Sequence, residues 1–561
     1  MNTPQYLSEY HYPRPFPIAG HHNHSGWWKE GSSKPILDEP AIKEALLHVH
    51  HPVFIIKVEQ GFAAGIGGTG FFGGEMPLPD AYPLTAFAPS CPIENLGDPA
   101  FCSDLGIRYP YLSGSMANGI SSCEMVEAMG RNGMLGFFGA SGMNITQVES
   151  AINQITSRRN KTPFGFNLIH SPNDPALEKA IVDLYLQRKI RLVEASAYMD
   201  MTLPVVRYRV EGIHRDKSGH IITPNRIIAK LSRVEIASKF FAPPPDRLLQ
   251  ELVASGHINE NQAQLAAQIP MAQDVTAEAD SGGHTDNRPA ITLLPTIMAL
   301  RDRMQKKYGF TQRLRVGLAG GIATPSSAAA VFSMGAAYVM VGSVNQACIE
   351  SGTTDEVREM LAQTKQGDIT MAPAADMFEM GVTVQVLKRG TMFAMRGSKL
   401  YEIYNTYNSL QEIPVSVRTM LEKNIFRDSF ENIWAQTRKY FLHRDKTQVE
   451  RAENDPKHLM ALVFRWYLGL SSLWANSGET SRKIDFQILC GPAMGAFNEW
   501  AKGSFLEHPG NRNTADVAMN LLFGAAAILR MNSLRCQGVP LSSEFMHITP
   551  LEPAQIREYL N

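Results

Sequence analysis

The chain has 561 residues, 44% hydrophobic and 19% charged, with a net charge of −1 at pH 7. That length exceeds what one core normally supports, so a large domain with one or two smaller ones is expected, and the composition excludes wholesale disorder. Near-neutral charge supplies no field to gather nucleic acid or an anionic membrane, and neither is expected as a partner.

The start, MNTPQYLSEYHYPRP, lacks the basic head and apolar core of a secretory signal. The longest apolar stretches, around Ala328–Gly342 and Leu521–Leu529, read as too short and glycine-rich for a membrane span. Six scattered cysteines without a CxxC point to reduced core thiols, and a cytoplasmic protein is expected.

Residues 1–95 read as an α+β region with a helical stretch at Pro40–Val49, an alternating segment VFIIKVEQGFAAGI, and a linker punctuated by Pro77, Pro79, Pro83, Pro89 and Pro92. A literal GxGxxG lies at Gly65–Gly70. The following FFGGEMPLPDAYP cannot supply the helix that a dinucleotide fold needs there, so that reading is set aside. The histidines at His21-His22-Asn23-His24 and His48-Val49-His50-His51 lack Cys or acidic companions at zinc spacing and read as structural; no metal site is expected.

Residues 96–365 read as an α/β domain, a (β/α)8 TIM barrel. Its strands are YLSGSM (111–116), MLGFFG (134–139), FGFNLI (164–169), RLVEAS (191–196), RIIAKLS (226–232), MAQDVTAE (271–278), RVGLAG (315–320) and YVMVGS (338–343). RYRVEGIHRDKSGHIITP, before the fifth strand, reads as a hairpin insertion. Beyond Gln363 the strand signals fade, and residues 366–561 read as a mainly helical region that forms a substrate lid and partner surface.

Barrel active sites lie at strand C-termini, and the loops after strands seven and eight commonly cradle a phosphate. Here those loops carry Gly320-Gly321 and Gly342-Ser343, where glycine admits close backbone approach and helix starts offer N–H groups. The bland alternative is that the glycines only make tight turns. After the sixth strand, AEADSGGHTD (277–286) brings Gly282-Gly283 for close approach to a flat ligand and His284 as an acid, base or donor. Gly114, Ser115, Met116 and Asn167 are further strand-end candidates. Lys230, inside an apolar run, needs a partner for its charge: a flavin's electron-rich edge or an acid such as Glu194.

GSMANGI (114–120), FGFNLIH (164–170), AEADSGGHTDNRP (277–289) and GLAGGIATP…VMVGS resemble the nitronate monooxygenase-like flavoprotein superfamily, which includes FMN-dependent enoyl-acyl-carrier-protein reductases. MAPAADMFEMGVTVQVLKRGTMFAMRGSKLYEIY (371–404) and DFQILCGPAMGAFNEW (485–500) are similar to the trans-acting enoyl reductase subunit of polyunsaturated fatty acid synthases (the PfaD type) and its polyketide relatives. The first-strand loop departs from the superfamily, reading Ser-Met-Ala-Asn where Pro-Met-Ala is common.

The resemblance implies FMN as cofactor and NADPH, in preference to NADH, as co-substrate. Gly320, Gly321, Gly342 and Ser343 would hold the FMN phosphate. Gly114, Ser115, Met116, Asn167 and Lys230 would lie at the ring and ribityl chain, with Gly283 and His284 over the reacting face. The implied reaction reduces trans-2-enoyl thioesters carried by acyl carrier protein, with His284 as catalytic proton donor and Lys230 stabilising reduced flavin. Docking of the carrier is expected around Lys388–Lys399 or Arg438–Arg444, and a homodimer is one candidate assembly. Two rivals stand beside this reading: a flavin oxidase using O2 on nitronates, and a non-catalytic assembly subunit. An inosine-monophosphate-dehydrogenase-like barrel would need a cysteine in a loop ahead of Gly320-Gly321, and the sequence has none between Cys123 and Cys348.

Overall fold

The computed structural model describes residues 25–59, 61–73, 79–157, 162–172 and 174–560, so His21-His22-Asn23-His24 and Pro77 lie outside the described residues. The chain folds as two compact units: residues 92–528 with 548–558, and the preceding residues with 529–547 and 559–561.

In the larger unit, eight parallel strands close into a barrel, and all eight expected runs are among them. They are β1 (Tyr111–Ser113), β2 (Leu135–Phe138), β3 (Gly165–Ile169), β4 (Leu192–Ser196), β5 (Arg226–Leu231), β6 (Asp274–Glu278), β7 (Arg315–Ala319) and β8 (Val339–Val341). β8 returns to β1 with Val339 opposite Tyr111. The strands are nearly continuous apolar runs because both of their faces are covered, one by the barrel interior and the other by helices. Helices follow as α1 (Cys123–Arg131), α2 (Ile145–Ser157), α3 (Pro175–Gln187), α4 (Leu203–Val210), α5 (Val234–Phe241), α6 (Ala290–Tyr308) and α7 (Pro325–Ser333). Ser122, Asp174, Thr202 and Thr324 cap the starts of α1, α3, α4 and α7 by accepting from N–H groups of the first turn. The expected hairpin insertion is present as His214–Arg215 against Ile221–Ile222. At the strands' N-terminal ends Arg315 bonds buried Asp274 at 2.6 Å and Asp104 at 2.8 Å, which belongs to stability rather than chemistry.

The region after the barrel is mainly helical, with one hairpin that the periodicity did not reveal: β9 (Ile369–Pro373) against β10 (Thr383–Leu387). Its longer helices are α8 (Phe393–Thr406), α9 (Phe430–Arg444), α10 (Lys446–Asn454), α11 (Pro456–Ser477) and α12 (Thr514–Cys536). Phe378, Phe393, Phe426, Phe430, Phe464 and Tyr467 build its core. Asp485, fully buried beside that core, accepts from Arg396, from Tyr467 Oη at 2.9 Å and from Arg482 at 3.3 Å. α12 is longer than its central apolar run suggested and is apolar enough by length and composition to cross a membrane. Yet 78% of its apolar window is buried inside the protein, as in a core helix.

The smaller unit is a five-stranded antiparallel sheet in the order 61–66, 53–58, 81–88, 26–29, 69–72. The proline-punctuated segment is therefore not a linker throughout, because Ala81–Ala88 is its central strand. Pro83 is tolerated because it lies opposite Trp27 beyond the last residue paired with the 53–58 strand, so its missing N–H costs nothing on that side. Gly67 and Gly68, with φ of 68° and 67°, turn the chain from one edge strand into the other, and the GxGxxG runs directly into the strand Thr69–Phe72. Arg530 donates to the carbonyl oxygens of Leu46, His48 and His51, tying the second histidine cluster into this unit.

Candidate active site

The C-terminal ends of the barrel strands bring the expected residues to one mouth. Behind β7 the two glycines differ. A Cβ on Gly320 (φ 89°) would stand 2.7 Å from the carbonyl oxygens of Ala279 and Asp280, so glycine there serves packing between the β6 and β7 loops. A Cβ on Gly321 (φ 75°) would meet nothing within 4 Å. At Gly342, after β8, the nearest atom to such a Cβ is Met116 Cγ at 3.9 Å, and Ser343 opens a single helical turn. The start of α7 contributes less than the sequence suggests. Ala323 and Thr324 N–H both donate to Ser327 Oγ at 3.0 Å, and Ser327 N–H donates to Thr324 Oγ1. Gly321 and the Gly342–Ser343 turn are the open part of this cradle.

Across the mouth, a partly buried ionic chain joins β4, β5 and β6. Lys230 Nζ lies 3.2 Å from Glu194 Oε1 and 3.2 Å from Glu278 Oε1, so the acidic partner weighed for this lysine is the one in place. Burial opposes the lysine's charge, and the two carboxylates more than offset it, holding the amine above the ordinary lysine range. Glu194, fully buried, also accepts from Ser115 N–H at 2.9 Å and Ser115 Oγ at 2.7 Å, which fixes the loop after β1. Gly114 is held by Ser121 Oγ, which donates to its carbonyl at 2.8 Å while accepting from Met116 N–H at 2.9 Å. Asn167 Nδ2 donates to Ser196 Oγ at 2.9 Å and to Glu194 O at 3.2 Å. Asn118, Ala197 and Asn287, in the loops after β1, β4 and β6, carry φ of 57°, 60° and 50°. Such backbone strain concentrates at functional sites.

The β6 loop is organised by chain segments far away in sequence. Gly283 and His284 form a short strand on β10, opposite Gln385 and Val384. A Cβ on Gly282 would fall 2.8 Å from Cys490 N, so this glycine admits the backbone of Cys490 rather than a ligand. Asp286 accepts from Arg233 Nε and Nη2, each at 2.9 Å, and from Ser232 Oγ at 2.5 Å, tying the loop to the end of β5. Those bonds to Arg233 depress its carboxyl to a pKa of about 2.

His284 Nε2 lies 3.2 Å from Asp376 Oδ1, just past β9. Burial pulls the imidazole's pKa down, while Asp376 and then Glu278 raise it to a net position above the ordinary histidine value. Asp376, which the sequence reading did not single out, is correspondingly held below the usual carboxylate range: burial raises it, and the bond to His284 lowers it further.

The barrel mouth thus carries a glycine cradle on one side and a histidine–carboxylate pair on the other. The family model described as nitronate monooxygenase matches residues 100–402, over half of the 561-residue chain. The chain belongs to the nitronate monooxygenase family. This oxidoreductase family member is 39% identical to the enoyl reductase domain of MlnA from the macrolactin biosynthesis cluster of Bacillus amyloliquefaciens. The match covers 79% of this chain and 100% of that one with a TM-score of 0.75. It is also 45% identical over 452 residues to a polyunsaturated fatty acid synthase subunit of Thraustochytrium, and 44% identical over 444 residues to polyketide biosynthesis protein PksE of Bacillus subtilis. Each match covers 79% of this chain, but only 30% and 58% of those relatives' lengths. Residues 407–486, which include α9, α10 and α11, match a second model, described as the inserted helical domain of acyl-carrier-protein S-malonyltransferase.

Proposed function

We propose that this family member is an FMN-dependent, NAD(P)H-consuming enoyl reductase acting on trans-2-enoyl thioesters carried by acyl carrier protein in polyunsaturated fatty acid or polyketide biosynthesis. The observation that carries the reading is the pairing of an open glycine cradle at Gly321 and Gly342 with a half-exposed, carboxylate-bound histidine on the same barrel mouth. The open space beside Gly321, where a Cβ would meet nothing within 4 Å, supports a phosphate there. Gly320, Gly321, Gly342 and Ser343 would hold it, and Gly114, Ser115, Met116, Asn167 and Lys230 would line the ring and ribityl chain. FMN supplies hydride transfer between NADPH, used in preference to NADH, and carbon. The protein's part is to hold the thioester and to provide the proton: His284, whose hold on a proton is strengthened by Asp376 and Glu278, gives it to the α-carbon. Names of the similar proteins, two of them synthase or polyketide-biosynthesis components, support this over a stand-alone oxidase.

The deciding experiment compares anaerobic NADPH oxidation driven by a crotonyl thioester with O2 consumption driven by a nitronate. Turnover of the first is expected, and turnover of the second alone would replace the reading with a flavin oxidase. The carrier is proposed to dock on the basic end of α9, where Lys439, His443 and Arg444 are exposed. On the alternative surface at Lys388–Lys399, Arg396 is engaged by Asp485 and Lys399 by Glu402 at 3.0 Å. Turnover of the carrier-bound substrate should therefore fall as salt rises, while a small enoyl thioester is little affected. Equal salt dependence for both would remove the docking claim.

A further inference from the structure

His284 has one ring nitrogen engaged and one left over. Nε2 faces Asp376 Oδ1 at 3.2 Å, and which nitrogen of a histidine does chemistry is set by the bond that the other one makes. The pair is not an accident of two mobile side chains. The main chain of His284 is fixed on β10, β10 pairs with β9, and Asp376 follows β9 directly. Ala374 N–H donates to Val382 O at 2.9 Å, closing the hairpin just before Asp376. From the other side Arg465 on α11 donates through Nε to Ala375 O at 2.8 Å. Arg465 also lies 3.6 Å from Glu379, which accepts from the buried His458 at 2.8 Å. The carboxylate is thus held between the barrel's own loop and the helical region.

We infer that Asp376 is the positioning residue of this site: it holds Nε2 of His284 and leaves Nδ1 as the nitrogen that delivers a proton to the substrate. This rests on the enoyl reductase reading above. In the step, the Nδ1–H bond breaks and its electron pair stays on the ring, while the proton forms the new bond at the substrate α-carbon. The β-carbon receives the hydride that NADPH furnishes in the proposed reaction, so one hydride and one proton add across the double bond. The imidazole left neutral recovers its proton from solvent, to which the His284 and Asp376 side chains are 47% and 57% exposed. The charged groups facing His284 are Asp376 and Glu278. Glu278 is already paired with Lys230 at 3.2 Å, and Arg465 stands behind Asp376, so Asp376 is the carboxylate whose charge is most available to the ring.

The test is a histidine-selective NMR titration of the flavin-loaded protein, with the His284 signal assigned through H284A, alongside the pH dependence of enoyl reduction. In D376N the His284 titration should move down by about one unit, since a near opposite charge shifts a pKa by roughly that much or more. The alkaline limb of the rate profile should move down with it, and D376E should recover part of both. A D376N protein whose His284 titrates as in the wild type would overturn the pairing. A shifted titration with an unmoved alkaline limb would overturn the proton-delivery role. If the wild type turns over no enoyl thioester at all, the reductase reading fails, and with it the delivery step, while the titration still decides the pairing independently.

Discussion

Around β7 and β8 the barrel mouth is made of backbone, whereas around β4, β5 and β6 it is made of charged side chains. The first flank has Gly321 with nothing within 4 Å of its missing side chain and Gly342 with only Met116 Cγ at 3.9 Å, and its uncharged amides suit an anion that arrives with its own charge. The second flank holds Lys230 between Glu194 and Glu278, and His284 against Asp376. A backbone cradle tolerates little change in shape, and an ionic chain tolerates little change in charge. Substitutions on the two flanks should therefore fail in different ways.

The largest effect is expected from Gly342→Glu, which puts a carboxylate into the cradle and should yield colourless protein that retains no flavin. A yellow, fully loaded variant would remove the phosphate assignment and make the two flanks alike. His284→Ala should keep its flavin and lose about 10² to 10⁴ fold in enoyl reduction, the usual range for general acid catalysis. The reduction of flavin by NADPH, followed as bleaching in stopped flow, should suffer less. Lys230→Met strips the counter-charge from buried Glu194 and should cost about 3–5 kcal/mol in chemical denaturation, as breaking a buried pair does. A neutral outcome would mean that the ionic flank is as passive as the glycine flank. The smallest effect concerns Asp286, whose carboxyl is held near a pKa of about 2 by Arg233 and Ser232. Because the folded-state pKa is depressed, its stabilisation is complete above the ordinary carboxylate range and is lost as pH falls toward 2. Asp286→Asn should therefore destabilise by roughly 1–2 kcal/mol at neutral pH and by little near pH 2, read from thermal melts across that range.

The glycine flank was legible in the sequence because its parts are local: strand, glycine turn and helix follow one another within GLAGGIATP and VMVGS. The eight barrel strands were legible for a similar reason, since a parallel strand covered on both faces is a short apolar run that announces itself. The ionic flank was only half legible. Lys230 stood out as a charge inside RIIAKLS, and Glu194 was named as one partner, but Glu278 and Asp376 were not. Asp376 gives no local signal because β9 ends in Pro373, β10 is five residues long, and their third partner is the two-residue piece Gly283–His284. A sheet assembled from such fragments has no periodicity to read. Gly282 was read as admitting a ligand and instead admits the backbone of Cys490, a long-range contact that no motif spacing encodes.

The cover over the β6 loop also sets an order of events during synthesis. The last barrel strand ends at Val341, whereas β10 leaves the ribosome later, and Leu489, which bridges to Val386, later still. A nascent chain therefore has all eight barrel strands and its glycine turns before His284 acquires the strand and the carboxylate that fix it. The glycine cradle and the His284–Asp376 pair are thereby separated in time, and a ribosome halted between Val341 and Asp376 would carry all eight barrel strands and a histidine without its strand partner or its carboxylate.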